Sequence, residues 1–333
     1  MMVRLTMRCG LAGLVLIAAL GQARAEELPP PEAFVDALVA VAGEHPGFRP
    51  TFAKGLCTEG TFTATPDAAE LSTAEVFAGE PVPAVVRLSV GGGNPQASDK
   101  GRSLRGMAVR LQPPGGDELH LVMISAPVFL VRDPADLIPF LEARTPDPAT
   151  GKPDQAKIDA FSQAHPETTA QAAYLKTAPV PASYAHAPFW AVNTFYFVNA
   201  AGGRQPARWV VEPVAGVVGL SEEQLATGPD EFLADEFRSR LERGPAEWDV
   251  HLQLPEAGDP LEDATAVWPE TRRTVNVGRL AVTEATPAGE AGSCDAMLFD
   301  PMVLPEGIEP SDDPVLQVRS AAYAVSYSRR TAP

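Results

Sequence analysis

The sequence predicts an α+β fold in which an antiparallel β-barrel or sandwich is surrounded by helices. Three observations lead to this class. Short strand-like segments recur along the chain, helical segments lie between them without a strand–helix–strand rhythm, and 34 prolines interrupt the sequence. Neither an internal repeat nor a low-complexity linker is found, so a single domain is expected over residues 26–333, after an amino-terminal signal over residues 1–25.

The first 25 residues have the three parts of a secretory signal. Arg4 and Arg8 precede an apolar run over residues 10–20, and small residues at 23 and 25 mark a cleavage site. This run is too short to cross a bilayer comfortably, and no later apolar run reaches membrane-spanning length. We therefore expect an exported, periplasmic protein with no stable membrane association once the signal is removed.

The overall charge is strongly acidic. The formal net charge of the chain is −17, and cleavage of the signal removes three further positive charges, Arg4, Arg8 and Arg24. An acidic surface repels nucleic acid and anionic membranes. Neither is therefore expected as a partner.

Two cysteines, Cys57 and Cys294, remain in the mature chain. In an exported protein two cysteines are a plausible disulfide. Bonding also requires that the two Cα atoms come close together, which sequence separation does not reveal. The alternative of two separate buried thiols is therefore left open.

The first half of the mature chain is predicted to contain a helix followed by strands. Three apolar residues at helical spacing indicate a helix over residues 30–43, whereas residues 61–77 show no clear period. Alternation in the last predicted strand places His120, Val122 and Ile124 on one face. Strands are expected over residues 83–90, 105–111 and 118–131.

The second half alternates between helices and strands. Helical patterns begin after Arg132, continue through a polar region over residues 146–178, and are clearest over residues 221–242, where a serine caps the start. In the strand over residues 247–254, Trp248 and every second residue after it are apolar. The strands are expected over residues 193–199, 207–213, 247–254 and 275–283.

A carboxy-terminal helix is indicated by its two ends. Asp313 is a capping carboxylate, and Pro314 suits the first helical turn because its fixed φ is helical and its missing N–H is not needed there. Arg329 and Arg330 close the helix, where cations complement the carbonyl end of the helix dipole.

One face of this helix carries Arg319 and Tyr323, which are four residues apart. Small residues surround the tyrosine, so the face could accept a large flat group with a phenol at its centre. A neighbouring guanidinium favours the ionised form of a phenol, and phenolate is a ligand for haem iron. The alternative is a tyrosine at the rim of the core with a stacking cation.

Five separate stretches, in order along the chain, resemble the haem catalase superfamily, and in particular the short bacterial catalase-related peroxidases. They are RPTFAKGLCTEG (49–60), VRLS (86–89), GRSLRGMAVRL (101–111), APVFLVRDP (126–134) and FDPMVLPEGIEPSDDPVLQVRSAAYAVSYSRR (299–330). This resemblance implies an antiparallel β-barrel with helices packed outside it, enclosing haem b. It also implies a role in oxidative stress, with a peroxide and an unidentified electron donor as partners.

The resemblance assigns roles to residues that would hold the cofactor. Tyr323 matches the proximal ligand of the haem iron, and Arg319 matches the arginine that keeps this ligand ionised. Arg49 and Arg87 match the arginines that pair with the haem propionates. Phe129 matches an apolar residue of the pocket wall.

The chain departs from the family on the distal side. Phe52 occupies the position of the distal histidine, and Ser89 matches the serine that supports that histidine. Ile124 is aligned with the distal asparagine, or Ser125 if the strand is shifted by one residue. Both polar residues that would handle the peroxide are therefore expected to be replaced.

These departures decide the expected chemistry. Peroxide cleavage needs a positioned group that moves a proton between the two oxygens, and its loss typically costs on the order of 10²–10⁴ in rate. Phe52 has no such proton, so weak peroxidase activity, favouring organic peroxides, is expected. His120 and His45 are possible substitutes at a distance. The alternative is a non-catalytic protein that binds haem or an apolar ligand.

Overall fold

A computed structural model describes residues 28–286 and 294–332. The predicted signal peptide lies outside these residues. Within them the chain forms ten β-strands joined in one antiparallel arrangement. The strands are β1 (Gly55–Ala64), β2 (Val82–Val90), β3 (Arg105–Leu111), β4 (Leu119–Ile124), β5 (Phe189–Trp190), β6 (Phe195–Val198), β7 (Arg204–Pro213), β8 (Ala246–Gln253), β9 (Thr274–Ala285) and β10 (Ile308–Pro310).

Eight α-helices occur in the described ranges, and none of them is long and apolar enough to cross a membrane. The helices are α1 (Pro31–Ala42), α2 (Pro66–Leu71), α3 (Leu137–Glu142), α4 (Gln155–Ala164), α5 (Ala170–Thr177), α6 (Glu222–Thr227), α7 (Leu233–Leu241) and α8 (Pro314–Thr331).

Eight of the strands close into a barrel. The order of neighbours is β10-β6-β7-β5-β4-β3-β2-β1-β9-β8, and a further pairing between β7 and β8 joins the two sides. Strands β6 and β10 continue the ladder outside the ring. The predicted α+β class with an antiparallel barrel is therefore confirmed, and the sandwich alternative is wrong.

The barrel interior is filled by alternate residues of the strands. In β2, β3 and β4 these residues include Leu88, Met107 and Met123, each at most 2% exposed. Burying such a side chain contributes roughly 1.5–3 kcal/mol. Because side chains alternate along a strand, the residues between them lie on the outer face of the barrel, where the helices pack.

The observed elements differ from the predicted ones where proline, glycine or a polar composition makes the spacing of apolar residues a poor guide to the structure. The helix predicted over residues 221–242 is two helices, α6 and α7, separated at Gly228 and Pro229, because proline cannot supply the N–H that a continuous helix needs. The strand predicted over residues 118–131 ends at Ile124, ahead of Pro127.

Strand β1 was not predicted. Its three threonines favour a strand, but it also contains Gly55, Glu59 and Gly60, and glycine and glutamate are depleted in strands. It forms because it pairs on both sides, with β2 and with β9. Long-range pairing of this kind leaves no local signal in the sequence.

Two rows of outer-face residues run across strands β1 to β4. Residues directly opposite each other in an antiparallel pair point to the same face. The first row is Gly55, Ser89, Gly106 and Ile124, and the second row is Cys57, Arg87, Ala108 and Val122. The members of these rows on β2, β3 and β4 form one wall of the cavity described below.

Helix α8 begins as predicted. The Oδ1 atom of Asp313 accepts a hydrogen bond from the Val315 backbone N–H at 2.9 Å, and Pro314 occupies the first turn. Near the other end, Arg329 forms an ion pair with Asp36 of α1 at 2.6 Å. Helix α8 is thus fixed across the outer face of the barrel, with α1 beside it.

A cavity between the barrel and the carboxy-terminal helix

A cavity of about 570 Å³ lies between the outer face of the barrel and helix α8. This volume is within the range of about 300–1,000 Å³ that small-molecule sites occupy. The eight residues to which the resemblance assigned a role all line it: Arg49, Phe52, Arg87, Ser89, Ile124, Phe129, Arg319 and Tyr323. The structure therefore brings residues from five separate parts of the sequence to one place.

Helix α8 supplies one wall of the cavity. Its lining residues recur every three or four positions, as expected for a single helix face. They are Val315, Val318, Arg319, Ala322, Tyr323, Ser326 and Arg330. Small side chains at Ala322 and Ser326 leave the phenol of Tyr323 accessible from the cavity, as the sequence indicated.

The phenol of Tyr323 is held by a chain of hydrogen bonds. Arg319 donates to its Oη from Nη2 at 2.8 Å and from Nε at 3.3 Å. The same guanidinium donates from Nη1 to Asn193 Oδ1 at 2.7 Å, and Asn193 Nδ2 donates to Asp313 Oδ2 at 2.7 Å. The carboxylate that caps α8 therefore also positions the cation beside the phenol.

Replacement of Asn193 by Ala is expected to lower the free energy of unfolding by about 1–3 kcal/mol. Asn193 and Asp313 are both fully buried, so the change leaves Asp313 and Arg319 without a shared partner. Urea unfolding followed by circular dichroism measures the loss. Gln163→Ala, at an exposed amide of α4, is the matched control, and an unchanged midpoint for Asn193→Ala would contradict the role assigned to this chain of hydrogen bonds.

Three arginines gather at one end of the cavity: Arg49, Arg87 and Arg330. Their nearby carboxylate is that of Asp295, whose Oδ1 lies 3.1 Å from Arg87 Nε and 3.5 Å from Arg49 Nη1. Arg330 donates from Nη2 to the Met297 carbonyl at 2.6 Å. Among the described residues, one carboxylate beside three guanidinium groups leaves two positive charges in excess.

Burial and the excess charge lower the pKa values of two of these arginines. Burial, together with the like charges of Arg87 and Arg330, lowers the pKa of Arg49 to about 8. Burial and Arg87 lower the pKa of Arg330 to about 10. Both shifts mean that additional anions would be favoured at this end of the cavity.

Arg87 also fixes the backbone beside Phe52. Its Nη1 donates to the Phe52 carbonyl at 3.0 Å and its Nη2 to the Ala53 carbonyl at 3.1 Å. Gly55 makes this possible, because a Cβ there would lie 2.3 Å from Arg87 Nη2. The backbone of Phe52 has φ of 53°, the only positive value for a non-glycine residue in the described ranges.

The wall formed by the barrel is mainly apolar. A Cβ added to Gly106 would lie 2.5 Å from Ser89 Oγ and 2.9 Å from Phe52 Cδ1, so the phenyl ring covers the glycine beside the hydroxyl. Ile124 is the partner of Gly106 in the next strand. Ser125, the alternative for the asparagine position, does not line the cavity, and its hydroxyl accepts a hydrogen bond from the Arg105 backbone N–H at 2.7 Å.

His120 shares a strand face with Val122 and Ile124, as predicted, but it does not line the cavity. Its Nε2 lies 2.9 Å from Glu118 Oε2, and its Nδ1 accepts a hydrogen bond from the Asp300 backbone N–H at 3.1 Å. Burial lowers its pKa. His45 is also absent from the lining, so neither histidine replaces the acid–base group that Phe52 lacks.

Several lining or supporting residues were missed in the sequence. Arg330 was assigned to the helix dipole, although it follows Tyr323 by seven residues, a spacing that returns to the same helix face. Gln171 of α5 is 95% buried and lines the cavity, and its Nε2 donates to the Val128 carbonyl at 2.8 Å. Asn193 and Asp295 carry no sequence signal, because their partners are more than 100 residues away.

Comparisons with known proteins agree with this arrangement. A sequence model of the family Catalase matches residues 32–333. Catalase-related peroxidases of Synechococcus elongatus and Mycolicibacterium paratuberculosis are 38% and 34% identical over 90% of this chain, and the matches cover 88% and 95% of those proteins. Catalase of Rattus norvegicus is 29% identical over 90% of this chain, which corresponds to 59% of its own length.

The fold has a close counterpart among solved structures. A crystal structure of a fungal catalase superposes with a TM-score of 0.78 at 22% sequence identity. The superposition covers 87% of this chain and 60% of the fungal chain.

Proposed function

Because the chain belongs to the catalase family, we propose that it is an exported haem-dependent peroxidase that acts on organic hydroperoxides and disproportionates hydrogen peroxide only weakly. The observation that carries the proposal is the asymmetry of the cavity. One wall presents a phenol held by an arginine, whereas the opposite wall presents Phe52 and Ile124, which cannot transfer protons.

The residues of the cavity fit a haem. Tyr323 offers an oxygen ligand that already accepts two hydrogen bonds from a cation, and a phenolate oxygen is a haem-iron ligand. The two excess positive charges of Arg49, Arg87, Arg330 and Asp295 match the two carboxylates of haem b. An apolar cavity supplies the environment that the macrocycle needs.

When bound, the haem supplies the redox-active iron at which a peroxide O–O bond is cleaved. The part of Tyr323 is to ligate the iron as an anion, and the part of Arg319 is to stabilise that anion. Arg49, Arg87 and Arg330 hold the carboxylates and so fix the orientation of the cofactor. Arg87 lies on β2 of the barrel, Arg49 lies in the loop ahead of β1, and the other three residues lie on α8.

The barrel wall explains why hydrogen peroxide is expected to be a poor substrate. A proton must leave one peroxide oxygen and reach the other, and neither Phe52 nor Ile124 can accept or donate it. The hydroxyl of Ser89 faces this wall and makes no hydrogen bond to another described side chain. Binding of an apolar hydroperoxide is favoured here because it buries apolar surface, whereas hydrogen peroxide has no apolar surface to bury.

A second function is favoured by the same wall. If no proton transfer occurs at all, the protein is a non-catalytic carrier of haem or of an apolar ligand. Titration with haem, followed by turnover with cumene hydroperoxide in the presence of an added electron donor and with hydrogen peroxide, separates the two. Haem-dependent reduction of cumene hydroperoxide at a higher rate than of hydrogen peroxide is expected. Haem binding without either turnover would support the carrier, and no haem binding would refute both haem functions.

Haem affinity is expected to fall as the pH rises above about 8, the value to which the pKa of Arg49 is lowered in the free cavity. Bound carboxylates favour the protonated guanidinium, so binding raises this pKa and takes up a proton at high pH. The affinity should therefore be constant below this pKa and fall by up to about tenfold per pH unit above it.

Quenching of tryptophan fluorescence during haem titration measures this dependence. Arg49→Met is expected to bind haem more weakly and without the decline above pH 8. An affinity that falls equally in Arg49→Met and in the unaltered protein would show that another group is responsible.

A further inference from the structure

A short segment lies over the arginine end of the cavity and is covalently attached to the barrel. It comprises residues 294–299 and is here called the strap. Cys294, its first residue, forms a disulfide with Cys57 of β1, with the two Cα atoms 5.4 Å apart. Cys57 is directly opposite Arg87 in the β1–β2 pairing. The covalent link therefore lies beside the most buried arginine of the cluster.

Every arginine of the cluster forms a hydrogen bond or an ion pair with the strap. Arg49 donates from Nη2 to the Cys294 carbonyl at 3.3 Å and to the Met297 carbonyl at 2.9 Å. Arg330 donates to the same Met297 carbonyl at 2.6 Å. Asp295 accepts from Arg87 at 3.1 Å and lies 3.5 Å from Arg49. The strap thus contacts all three guanidinium groups, although that of Arg87 is also held by the Phe52 and Ala53 carbonyls.

The side chain of Asp295 is 48% exposed, whereas that of Arg87 is 4% exposed. An exposed carboxylate on a loop gains little from an ion pair unless its backbone is already held in place. Here the backbone is held by the disulfide and by Phe299, which packs against both cysteines and lines the cavity. The order of the arginines therefore depends on the covalent bond.

We propose that Asp295 is a positioning residue for the carboxylate-binding arginines, and that the Cys57–Cys294 bond, by fixing Asp295, controls how tightly haem is retained. This inference rests on the proposed haem function. Reduction by a dithiol converts the two cysteines to thiols, oxidises the dithiol to its own disulfide and releases the strap. The chain would then reach full haem affinity only where the disulfide can form, as in the compartment that the predicted signal implies.

The experiment compares the release of haem with that of haem dimethyl ester, whose carboxylates are blocked. Each is loaded into the oxidised protein, the dithiothreitol-reduced protein, the double variant Cys57→Ser/Cys294→Ser, and Asp295→Asn. Transfer to excess apomyoglobin gives the dissociation rate for haem, and transfer to detergent micelles gives the rate for both cofactors. Asp312→Asn, at an exposed carboxylate ahead of α8, is the matched control.

Reduction and loss of the cysteines should each speed release of haem by about 10–100-fold, the usual cost of losing a group that orients binding residues. Asp295→Asn should speed release as well, because losing the orientation that this carboxylate gives Arg49 and Arg87 is expected to outweigh losing its repulsion of the haem carboxylates. Release of the dimethyl ester should be fast in the oxidised protein and change little in the variants. Asp295→Asn keeps the disulfide, so it tests the proposal even if the cysteine variant folds poorly.

Two results would overturn the inference while leaving the proposed function intact. One is release of haem at the same rate in all four forms. The other is an equal acceleration for haem and its dimethyl ester, which would show that the strap only stabilises the fold. If the oxidised protein binds no haem, the proposed function fails, and the inference fails with it.

Discussion

Replacing Tyr323 by Phe is expected to weaken haem binding by at least about 100-fold and to shift the Soret band of any haem that is still bound. Loss of groups that merely orient metal ligands costs about 10–100-fold in affinity, and loss of the ligand itself should cost more. The change removes one oxygen atom from a cavity wall and leaves the ring in place, so the fold should be retained. Haem titration with absorption spectra measures the effect.

Tyr327→Phe is the control for this substitution. Tyr327 lies one turn further along α8, and its ring, which the substitution keeps, stacks on Arg330 at 4.9 Å. The Tyr327→Phe variant should bind haem as tightly as the unaltered protein does. Arg319→Met should give an intermediate result, with haem bound but the ligand less anionic. A Tyr323→Phe protein with unaltered affinity and spectrum would mean that the iron, if present, is held elsewhere.

The fold could be predicted from the sequence to the extent that its signals are local. Strand-like composition identified β2 and β3, alternation identified β8, and the Asp313–Pro314 pair identified the start of α8, because side-chain direction and capping depend on neighbouring residues. Strand β1 escaped detection because glycines at positions 55 and 60 weaken its local signal, and its pairing with β2 and β9 compensates for them.

Helix spacing indicated Arg319 and Tyr323, whereas the rest of the candidate site could be predicted only through the resemblance to a family. Motif order placed Arg49, Arg87 and Tyr323 together, and the cavity contains all three. Nothing local connects Asn193 to Arg319 or Asp295 to Arg87, since these contacts exist only after the barrel has closed. The disulfide was likewise undecided, because the bonded cysteines are 237 residues apart.

Phe52→His is expected to raise the rate of hydrogen peroxide disproportionation by on the order of 10²–10⁴, the typical contribution of a positioned acid–base group. The site is suited to the change. The φ of 53° at this position is uncommon for Phe, whereas His is enriched among non-glycine residues in the left-handed region. Arg87 holds the Phe52 carbonyl in either case, because that contact involves the backbone.

The neighbourhood of Phe52 also supplies a partner for an imidazole. The ring and the hydroxyl of Ser89 meet beside Gly106, and histidine is the smaller side chain, so a ring nitrogen could share a hydrogen bond with Ser89. Adding Ile124→Asn should increase the gain, since the amide would replace an apolar side chain in the same row of the barrel wall.

The control is Phe52→Leu, which changes the size of the side chain without supplying a proton. Haem content, determined from the absorption spectrum, is matched among the variants before oxygen evolution is measured. If the rate of oxygen evolution rises equally in the Phe52→His and Phe52→Leu variants, the reaction is limited by access to the iron and not by proton transfer. If the rate rises in neither variant while haem remains bound, the apolar wall has a function that the missing histidine does not explain. The chain is then better described as a non-catalytic carrier.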